Sequence, residues 1–407
     1  MNQNNKNDTT HKSKINNTMA FTQSLSIIIK KTTFKSDKPM KKRILVLTIL
    51  LILCDFSIFS QNKEINHPRE NFEDFCAFFE NNYAFFNLRG VDWKNQYLKY
   101  LPLITDTTSD KKLFEIMSDM VSPLKDGHVT IKDLNGKTFC ISQKTRFNEE
   151  FKTQELKDSL WLVTKQTLAK NGFTGIKEMG PKDEPTGSMF YYSKSVDYGY
   201  LRIGKFFNEF EFLNNKKKIE EGIDVLQKLL DSLMIYFNSC KGLIVDVRCN
   251  PGGYDKYAYT VANRFVSIKQ IGHSKCIRNG GAYDNCENEK TYYLEPVSSG
   301  SFTKPIMLLT NDQTASAADV FSLITKNIPN ITKIGEPSEG IFSDMKFKTL
   351  PNGWTVSLSN ECYFSSDRIC YEGLGVPLDI EILNTKQDLI ENKDPLIIRA
   401  LEELKKK

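Results

Sequence analysis

A serine at the start of a predicted helix has surroundings that suit nucleophilic catalysis. Ser316 lies in segment 314–319, a few residues after a predicted buried strand that ends at Thr310. Free backbone N–H groups at the start of a helix, together with the helix dipole, favour developing negative charge, so the N–H of Ala317 could face an oxyanion. Because serine is also a common helix cap, the segment alone fits a structural role as well.

A pair of glycines follows another predicted strand. The apolar run 242–247 is typical of a strand that is buried on both faces, and Asn250-Pro251-Gly252-Gly253 comes directly after it. Glycines let the backbone approach a ligand closely, and the N–H of Gly252 or Gly253 could complete an oxyanion hole. The alternative is an ordinary turn between a strand and a helix.

Elimination leaves one histidine as the general base among His11, His67, His128 and His273. His11 lies in the N-terminal leader, His67 precedes a proline near the expected mature terminus, and His273 lies in a polar stretch. His128 follows Asp126-Gly127 at a predicted boundary between helix and strand. The near-neutral pKa of an imidazole suits proton transfer at such a position.

A third group is needed to orient that imidazole. Glu372 precedes a glycine-rich bend at 373–377, although a solvated loop glutamate would also fit there. Asp126 is the competing choice because it is close to His128 in sequence.

The spacing of apolar residues predicts the elements that position these groups. Residues 65–131 repeat apolar residues at helical spacing and end in a short strand, which predicts a small helical N-terminal domain. Strands and helices alternate over 196–386, which predicts an α/β core. The connecting region 132–195 is irregular, with a strand expected at 161–163, and 387–407 is expected to form a charged surface helix.

The charge of the chain is concentrated at its N-terminus. The 407 residues carry a formal net charge of +5, and residues 1–43 hold ten Lys or Arg and two Asp. The rest of the chain has 45 basic and 48 acidic residues, a net charge of −3. A nucleic-acid partner therefore gets no support from charge.

Residues 40–60 have the three parts of a secretory signal peptide: a basic start, an apolar run at 44–54 and then small residues. The run is shorter than the about 20 apolar residues of a membrane span, so we expect export, with an uncleaved membrane anchor as the alternative. Attachment of a lipid at Cys54 is disfavoured by the bulky Leu53 before it.

Nine cysteines are present, and an exported protein could oxidise some of them. Cys276 and Cys286 are close enough in sequence to close a small loop, and so are Cys362 and Cys370; the sequence leaves open whether either pair is bonded. No cluster of cysteine and histidine has the spacing of metal ligands, so we expect neither a metal nor another cofactor.

Four parts of the chain, taken in order, resemble those of the tail-specific (carboxyl-terminal processing) serine peptidase family. They are 124–128, 243–253, 308–319, and 335–340 together with 372–376. The resemblance covers about residues 70–385 and depends on the ordered set, because each segment alone is weak. It implies an α/β core of the crotonase-like type, and it matches Ser316 to the nucleophile of the family and Glu372 to the glutamate that supports the base.

The sequence departs from the processing peptidases at the base and in the connecting region. Those enzymes use a lysine where this chain has Ile341, and the nearby Lys346 is a poor substitute. The chain resembles instead the tricorn-like branch, also similar to the interphotoreceptor retinoid-binding protein, in which a histidine before the core serves as base. In tricorn protease the residue before that histidine is a serine, whereas this chain has Gly127 there and lacks the polar support that the serine side chain would give. Region 132–195 is too short and irregular to indicate a PDZ domain, so recognition of a substrate tail through a PDZ groove is not supported.

Together these features predict an exported serine endopeptidase, in which His128 takes the proton of Ser316 and Glu372 steadies the imidazolium. Its partner would be a peptide or protein substrate, any membrane contact would be limited to the N-terminal segment, and the oligomeric state stays open. A non-catalytic protein of the same fold, which binds a small apolar ligand or a peptide, is the alternative because a fold alone does not fix function. An interaction scaffold at the cell envelope is a further alternative.

The start of translation can be tested directly. Residues 1–39 are polar and rich in Asn, Lys and Thr, and signal peptides rarely follow such a leader. We therefore expect translation of the native gene to begin at Met40. Mass-spectrometric sequencing of the precursor and mature forms should return no peptide from 1–39, and any such peptide would contradict the expectation.

Overall fold

Helices make up the first part of the described chain, and strands alternate with helices after it. The computed structural model describes five stretches of sequence: 67–140, 145–183, 187–208, 216–298 and 300–407. All of them lie within one compact unit, Asn66–Lys407. The expected leader at 1–39 and signal segment at 40–60 lie outside the described residues. Across the described stretches, no helix is long and apolar enough to cross a membrane.

The helices of these stretches are α1 (Pro68–Asn82), α2 (Phe86–Arg89), α3 (Trp93–Tyr100), α4 (Asp110–Val121), α5 (Arg146–Glu150), α6 (Gln154–Lys170), α7 (Lys216–Phe237), α8 (Asp255–Ala262), α9 (Ala317–Ile324), α10 (Lys386–Glu391) and α11 (Pro395–Lys406). The strands are β1 (Thr130–Lys132), β2 (Thr138–Cys140), β3 (Lys177–Asp183), β4 (Gly187–Lys194), β5 (Tyr198–Ile203), β6 (Gly242–Asp246), β7 (Gln270–Arg278), β8 (Cys286–Leu294), β9 (Ile306–Thr310), β10 (Ile331–Gly335), β11 (Met345–Thr349), β12 (Thr355–Ser359), β13 (Glu361–Ser365) and β14 (Ile380–Glu381).

The N-terminal helices pack aromatic residues against a four-stranded antiparallel sheet of order β11-β12-β1-β2. Phe75 and Phe79 recur at helical spacing along α1 and are fully buried beside Trp93 of α3. In the sheet, Thr130 of β1 lies opposite Ser357 of β12. The predicted helical segment therefore shares one apolar core with strands from the far end of the chain.

A seven-stranded sheet of order β14-β10-β9-β6-β5-β4-β3 forms the centre of the α/β core. Its strands from β14 to β5 are parallel, and β4 and β3 add an antiparallel edge. The buried strands predicted at 242–247 and 305–310 are confirmed as β6 and β9, and every residue of both strands is buried. Helices α7, α8 and α9 cover one face of the sheet, and α6 and α11 cover the other. The predicted mixed α/β class is confirmed.

The expected strand at 161–163 is wrong, because these residues lie inside helix α6. Thr153 caps this helix by accepting the Leu156 N–H over 3.4 Å. A run of three apolar residues fits either element, and it is the burial of Leu160, Val163 and Thr167 at helical spacing that fixes a helix. The connecting region thus contributes a helix and two strands, β3 and β4, to the core.

The C-terminal residues form two helices rather than one surface helix. Leu396, Ile397, Ala400 and Leu401 of α11 are buried against the sheet, while Lys405 and the other charged residues lie on the outside. The regular spacing of these apolar residues gives α11 an amphipathic face, which the excess of charged residues obscures in the sequence.

One of the two candidate cysteine pairs is bonded. Cys276 and Cys286 form a disulfide between β7 and β8, whereas Cys362 and Cys370 carry free thiols. Cys362 lies opposite Cys276 across the β13–β7 ladder.

Gly375 lies where loop 371–377 presses on the Ser338 backbone. Its φ is +73°, and a Cβ there would overlap the Ser338 carbonyl oxygen. We expect Gly375→Ala to lower the free energy of unfolding by ~2–5 kcal/mol, because the left-handed backbone and the overlap both cost energy. Gly172→Ala is the matched control, since φ is +80° there and nothing lies within 4 Å of an added Cβ. Both variants are measured by urea denaturation. Gly172→Ala should lower the free energy of unfolding by only ~1–2 kcal/mol, and equal losses in the two variants would contradict the steric argument.

Candidate active site

The carboxyl ends of the neighbouring strands β6 and β9 bring the glycine pair and Ser316 together. The Ala315 N–H donates to the Asn250 carbonyl over 3.0 Å, and the Thr314 hydroxyl donates to the Val247 carbonyl over 3.0 Å. These bonds tie the turn after β6 to the loop after β9. Ligands commonly bind at this edge of a parallel sheet, where adjacent loops diverge.

Ser316 has a strained backbone at the N-cap of helix α9. Its φ is 55° and its ψ is −122°, a conformation that costs a residue with a side chain ~1–3 kcal/mol and that is concentrated at functional sites. The side chain is half-buried. A sharp turn from a strand into a helix can hold a serine hydroxyl out toward a substrate, so this geometry fits a nucleophile better than a plain cap.

The backbone N–H groups of the glycine pair and of Ala317 differ in their hydrogen bonding. A Cβ on Gly252 would lie 2.7 Å from the Ser316 Cβ and 2.8 Å from the Ala317 nitrogen, so only glycine fits this contact. The Gly252 N–H already donates to the Asn250 side chain over 2.8 Å. The N–H groups of Gly253 and Ala317 have no hydrogen-bond partner among the described residues.

A buried carboxylate holds the start of α9 in place. Asp319 accepts the N–H groups of Ser316 over 3.1 Å, of Gly340 over 3.0 Å and of Ile341 over 3.0 Å. Burial raises the pKa of Asp319 to about 6, against the lowering effect of these donors. The carboxyl group thereby fixes the strained serine and joins it to the loop that follows β10.

His128 lies in the turn before β1, and its backbone is held on both sides. Its N–H donates to Asp126 over 2.9 Å, and its carbonyl accepts the Ser357 hydroxyl over 2.8 Å. Burial lowers the pKa of the imidazole below 6.5, while the carboxylates of Asp126 and Asp344 and the Ser343 backbone act in the opposite direction. The ring Nδ1 is buried and has no hydrogen-bond partner in the described part of the chain.

Glu372 is buried beside the same turn and acts on its surroundings through the backbone. Its carboxylate accepts the Phe342 N–H over 3.0 Å and pairs with Arg89 over 3.4 Å. Burial and the nearby Asp126 carboxylate raise the pKa of Glu372 well above its ordinary value. Because Phe342 precedes Ser343, Glu372 fixes the segment that touches the imidazole rather than the imidazole itself.

The predicted nucleophile and base share no hydrogen bond in the described residues. Both belong to segments that meet at loop 335–343: Ser316 through Asp319, and His128 through Ser343. Lys346 is the alternative base, but its exposed ammonium donates to Asn82 over 2.6 Å.

Sequence reasoning missed Asn250, Asp319 and Asp344 as parts of the site. The spacing of Asp319 three residues after Ser316 is that of a capping box, which was the available signal. Asp344 had no signal, because only the fold brings β11 to the histidine turn. The described stretches contain no group of three or more His, Cys, Asp or Glu side chains that could hold a metal ion.

Two family models match parts of the chain. Residues 197–382 match the family model for peptidase family S41, and residues 66–122 match the model of the tricorn protease C1 domain. Ser316 and Glu372 fall within the first match, whereas His128 lies between the two. The first match covers most of the α/β core, so this part of the chain is similar to peptidase family S41. The second match covers the N-terminal helices α1 to α4.

Two relatives and one solved structure illustrate the similarity. The carboxy-terminal processing protease CtpA of Bacillus subtilis is 27% identical over 187 residues, covering 45% of this chain and 34% of its own length. The tricorn protease of Thermoplasma acidophilum is 28% identical over 174 residues, covering 42% of this chain and 15% of its own. The chain thus spans about a third or less of either relative. The structure of a candidate peptidase from Parabacteroides merdae superposes with a TM-score of 0.66 at 25% identity, covering 83% of this chain and 96% of that one.

The burial of His128 predicts how it titrates. NMR of the ring should give a midpoint below pH 6.5, because desolvation disfavours the imidazolium. Asp344→Asn should lower the midpoint further, since it removes a negative charge that stabilises the protonated ring. Asp106→Asn, at an exposed site outside this cluster, should leave the midpoint unchanged. A wild-type midpoint above 6.5, or a higher midpoint in Asp344→Asn, would contradict this assignment.

Proposed function

We propose that this chain hydrolyses peptide bonds through an acyl-enzyme. The Ser316 hydroxyl attacks the scissile carbonyl carbon, and His128 accepts the hydroxyl proton. The tetrahedral intermediate collapses with transfer of that proton to the leaving amine, and a water activated by His128 then hydrolyses the ester. The observation that carries the proposal is the strained Ser316, on which Gly252 packs and which is followed by the unpartnered N–H of Ala317.

The N–H groups of Ala317 and Gly253 form the proposed oxyanion hole. Ala317 offers a first-turn N–H of α9, where the helix dipole adds to the attraction for negative charge. Gly253 is the second donor of choice, because the Gly252 N–H is occupied by Asn250. Loss of one such donor typically costs ~100- to 1000-fold in rate.

His128 reaches Ser316 in this proposal when substrate is bound. Catalytic hydrogen bonds are often long or unformed in free enzymes and tighten in the complex with substrate. The buried, unpartnered Nδ1 of His128 supports this view, because it leaves a ring nitrogen uncommitted. Glu372 and Asp126 position the ring by holding the two backbone segments on either side of it.

Two broader features belong to the same proposal. We infer a crotonase-like core. The parallel strands of the seven-stranded sheet, together with the smaller β13-β7-β8 sheet, support this inference. We also infer export through the signal segment at 40–60. The disulfide between Cys276 and Cys286 supports export, because such bonds persist in oxidising compartments.

The catalytic roles are tested by a matched set of variants. Ser316→Ala and His128→Ala should each lower kcat/KM in a peptide-library digest by at least ~1000-fold, because the two residues act as one unit. Lys346→Ala should retain wild-type turnover, since the Lys346 ammonium contacts Asn82 at the surface. Loss of activity in Lys346→Ala with activity kept in His128→Ala would restore a serine–lysine pair.

A serine-directed fluorophosphonate probe separates an enzyme from a binding protein of the same fold. Labelling should occur at Ser316 in the wild type and be absent in Ser316→Ala. Failure to label the folded wild type, together with a bound apolar molecule in the purified protein, would support the binding protein instead.

A further inference from the structure

A cavity of about 370 Å³ lies beside the turn that carries the glycine pair. Helix α6 forms one wall, and the carboxyl ends of β5 and β6 form the other. Trp161 and Tyr191 provide aromatic surface. The charged lining residues are three basic and two acidic ones: Lys157, Arg202, Arg248, Asp158 and Asp246. We call this space the Arg202 cavity. A volume of this size accommodates one or two amino-acid residues of a ligand.

The guanidinium of Arg202 is held by rings rather than by hydrogen bonds. It lies 4.3 Å from the centre of the Trp161 ring and 5.9 Å from that of Tyr191, and these two rings pack edge to face. The Arg202 Nε is buried without a partner, and within the described stretches no hydrogen bond is donated by this side chain. Stacking therefore fixes the planar fork and leaves its donors available.

Arg248, the second arginine of the cavity, has carboxylate partners, whereas Arg202 has none at hydrogen-bond distance in the described residues. Arg248 binds both oxygens of Asp246 and also donates to Asp394 over 2.9 Å. Asp246 lies opposite Arg202 on the adjacent strand, and the opposite charges of the two side chains attract each other. Both Asp246 oxygens, however, already accept hydrogen bonds from Arg248 or the Tyr200 hydroxyl. A carboxylate from outside the chain would complete Arg202 in the same way.

The Arg202 cavity is connected to the proposed nucleophile through the turn itself. Cys249 and Pro251 line the cavity, and the next residue, Gly252, packs on Ser316. When one group of a peptide binds Arg202, a peptide bond a few residues along the same peptide therefore lies near the Ser316 hydroxyl.

We infer that the Arg202 cavity is a substrate subsite that binds a carboxylate group of the peptide, and that Arg202 determines this specificity. The inference deepens the proposed peptidase function and depends on it for the meaning of substrate. The carboxylate is either the free C-terminus of the peptide or an Asp or Glu side chain, because both present the same planar pair of oxygens.

Binding to the Ser316→Ala protein tests the subsite without requiring turnover. Fluorescent peptides of one neutral sequence are compared by anisotropy in three forms: free C-terminus, amidated C-terminus, and amidated with Glu in place of Gln at successive positions. One carboxylate-bearing form should bind ~10- to 100-fold tighter than the neutral form, as expected for hydrogen bonds between charged groups. The form that gains affinity identifies the source of the carboxylate.

Variants then assign the effect to the fork. Adding Arg202→Met to Ser316→Ala should abolish the preference while keeping the affinity for the neutral peptide, and Arg202→Lys should restore only part of it, because an ammonium cannot pair bidentately. Lys157→Met, which removes another positive charge from the same cavity, should leave the preference intact. Fluorophosphonate labelling of the single Arg202→Met variant at the wild-type rate shows that it is folded.

Two outcomes overturn the inference: equal binding of acidic and neutral peptides, including no binding of any, or a carboxylate preference that survives in Arg202→Met. A preference that depends on Arg202, in a wild-type protein that neither cleaves peptides nor labels at Ser316, would uphold the subsite and overturn the peptidase proposal. The two failures are therefore distinguishable.

Discussion

The candidate site depends on one buried carboxyl group, that of Asp319. Three backbone N–H groups converge on it, from the strained Ser316 and from Gly340 and Ile341 in the loop after β10. Removing a carboxylate from water is costly unless its oxygens are paired, so this arrangement is stable only as a complete set. The position of the serine and the path of the loop are thereby determined together.

The strain at Ser316 is offset by the packing around it. The loop after β9 is bonded to the turn after β6, and both follow strands that are buried along their whole length. Gly252 has no side chain, so the turn can press on the serine and leave Ala317 uncovered. An unfavourable backbone persists where the surrounding structure over-determines it, and here the over-determination comes from two adjacent strand ends.

Acidic side chains with raised pKa values lie in and beside the loop after β10. Such side chains hold backbone segments in place through hydrogen bonds more than they supply a fixed negative charge. Burial and neighbouring carboxylates raise the pKa of Glu339 to about 8 and that of Glu372 well above its ordinary range. Glu372 therefore retains a proton more readily than a surface glutamate, despite its pairing with Arg89. Its acceptance of the Phe342 N–H orients the backbone near His128 without requiring a full negative charge. Through Arg89, the N-terminal helices take part in holding the site.

Local sequence patterns are enough to predict the residue types of the candidate site and the strands that carry them. Ser316 follows a buried strand and Gly252 follows another, and a continuous apolar run is enough to predict a strand covered on both faces. The charge pattern gives no support to a nucleic-acid partner, since the excess of basic residues is confined to the N-terminal part of the chain. It could not predict helix α6 from the three apolar residues at 161–163, because such a run lacks a period.

Which of these groups come into contact depends on the folded chain and cannot be predicted from local patterns. The pairing of β1 with β12 brings Asp344, which directly precedes β11, to the turn of His128, although more than two hundred residues separate them in sequence. The choice of Gly253 over Gly252 as a free donor depends on the Asn250 side chain, and the unpaired state of Arg202 depends on Arg248 having taken Asp246. Local patterns specify elements through propensity and period, whereas burial, pairing and pKa depend on neighbours that only the folded chain supplies.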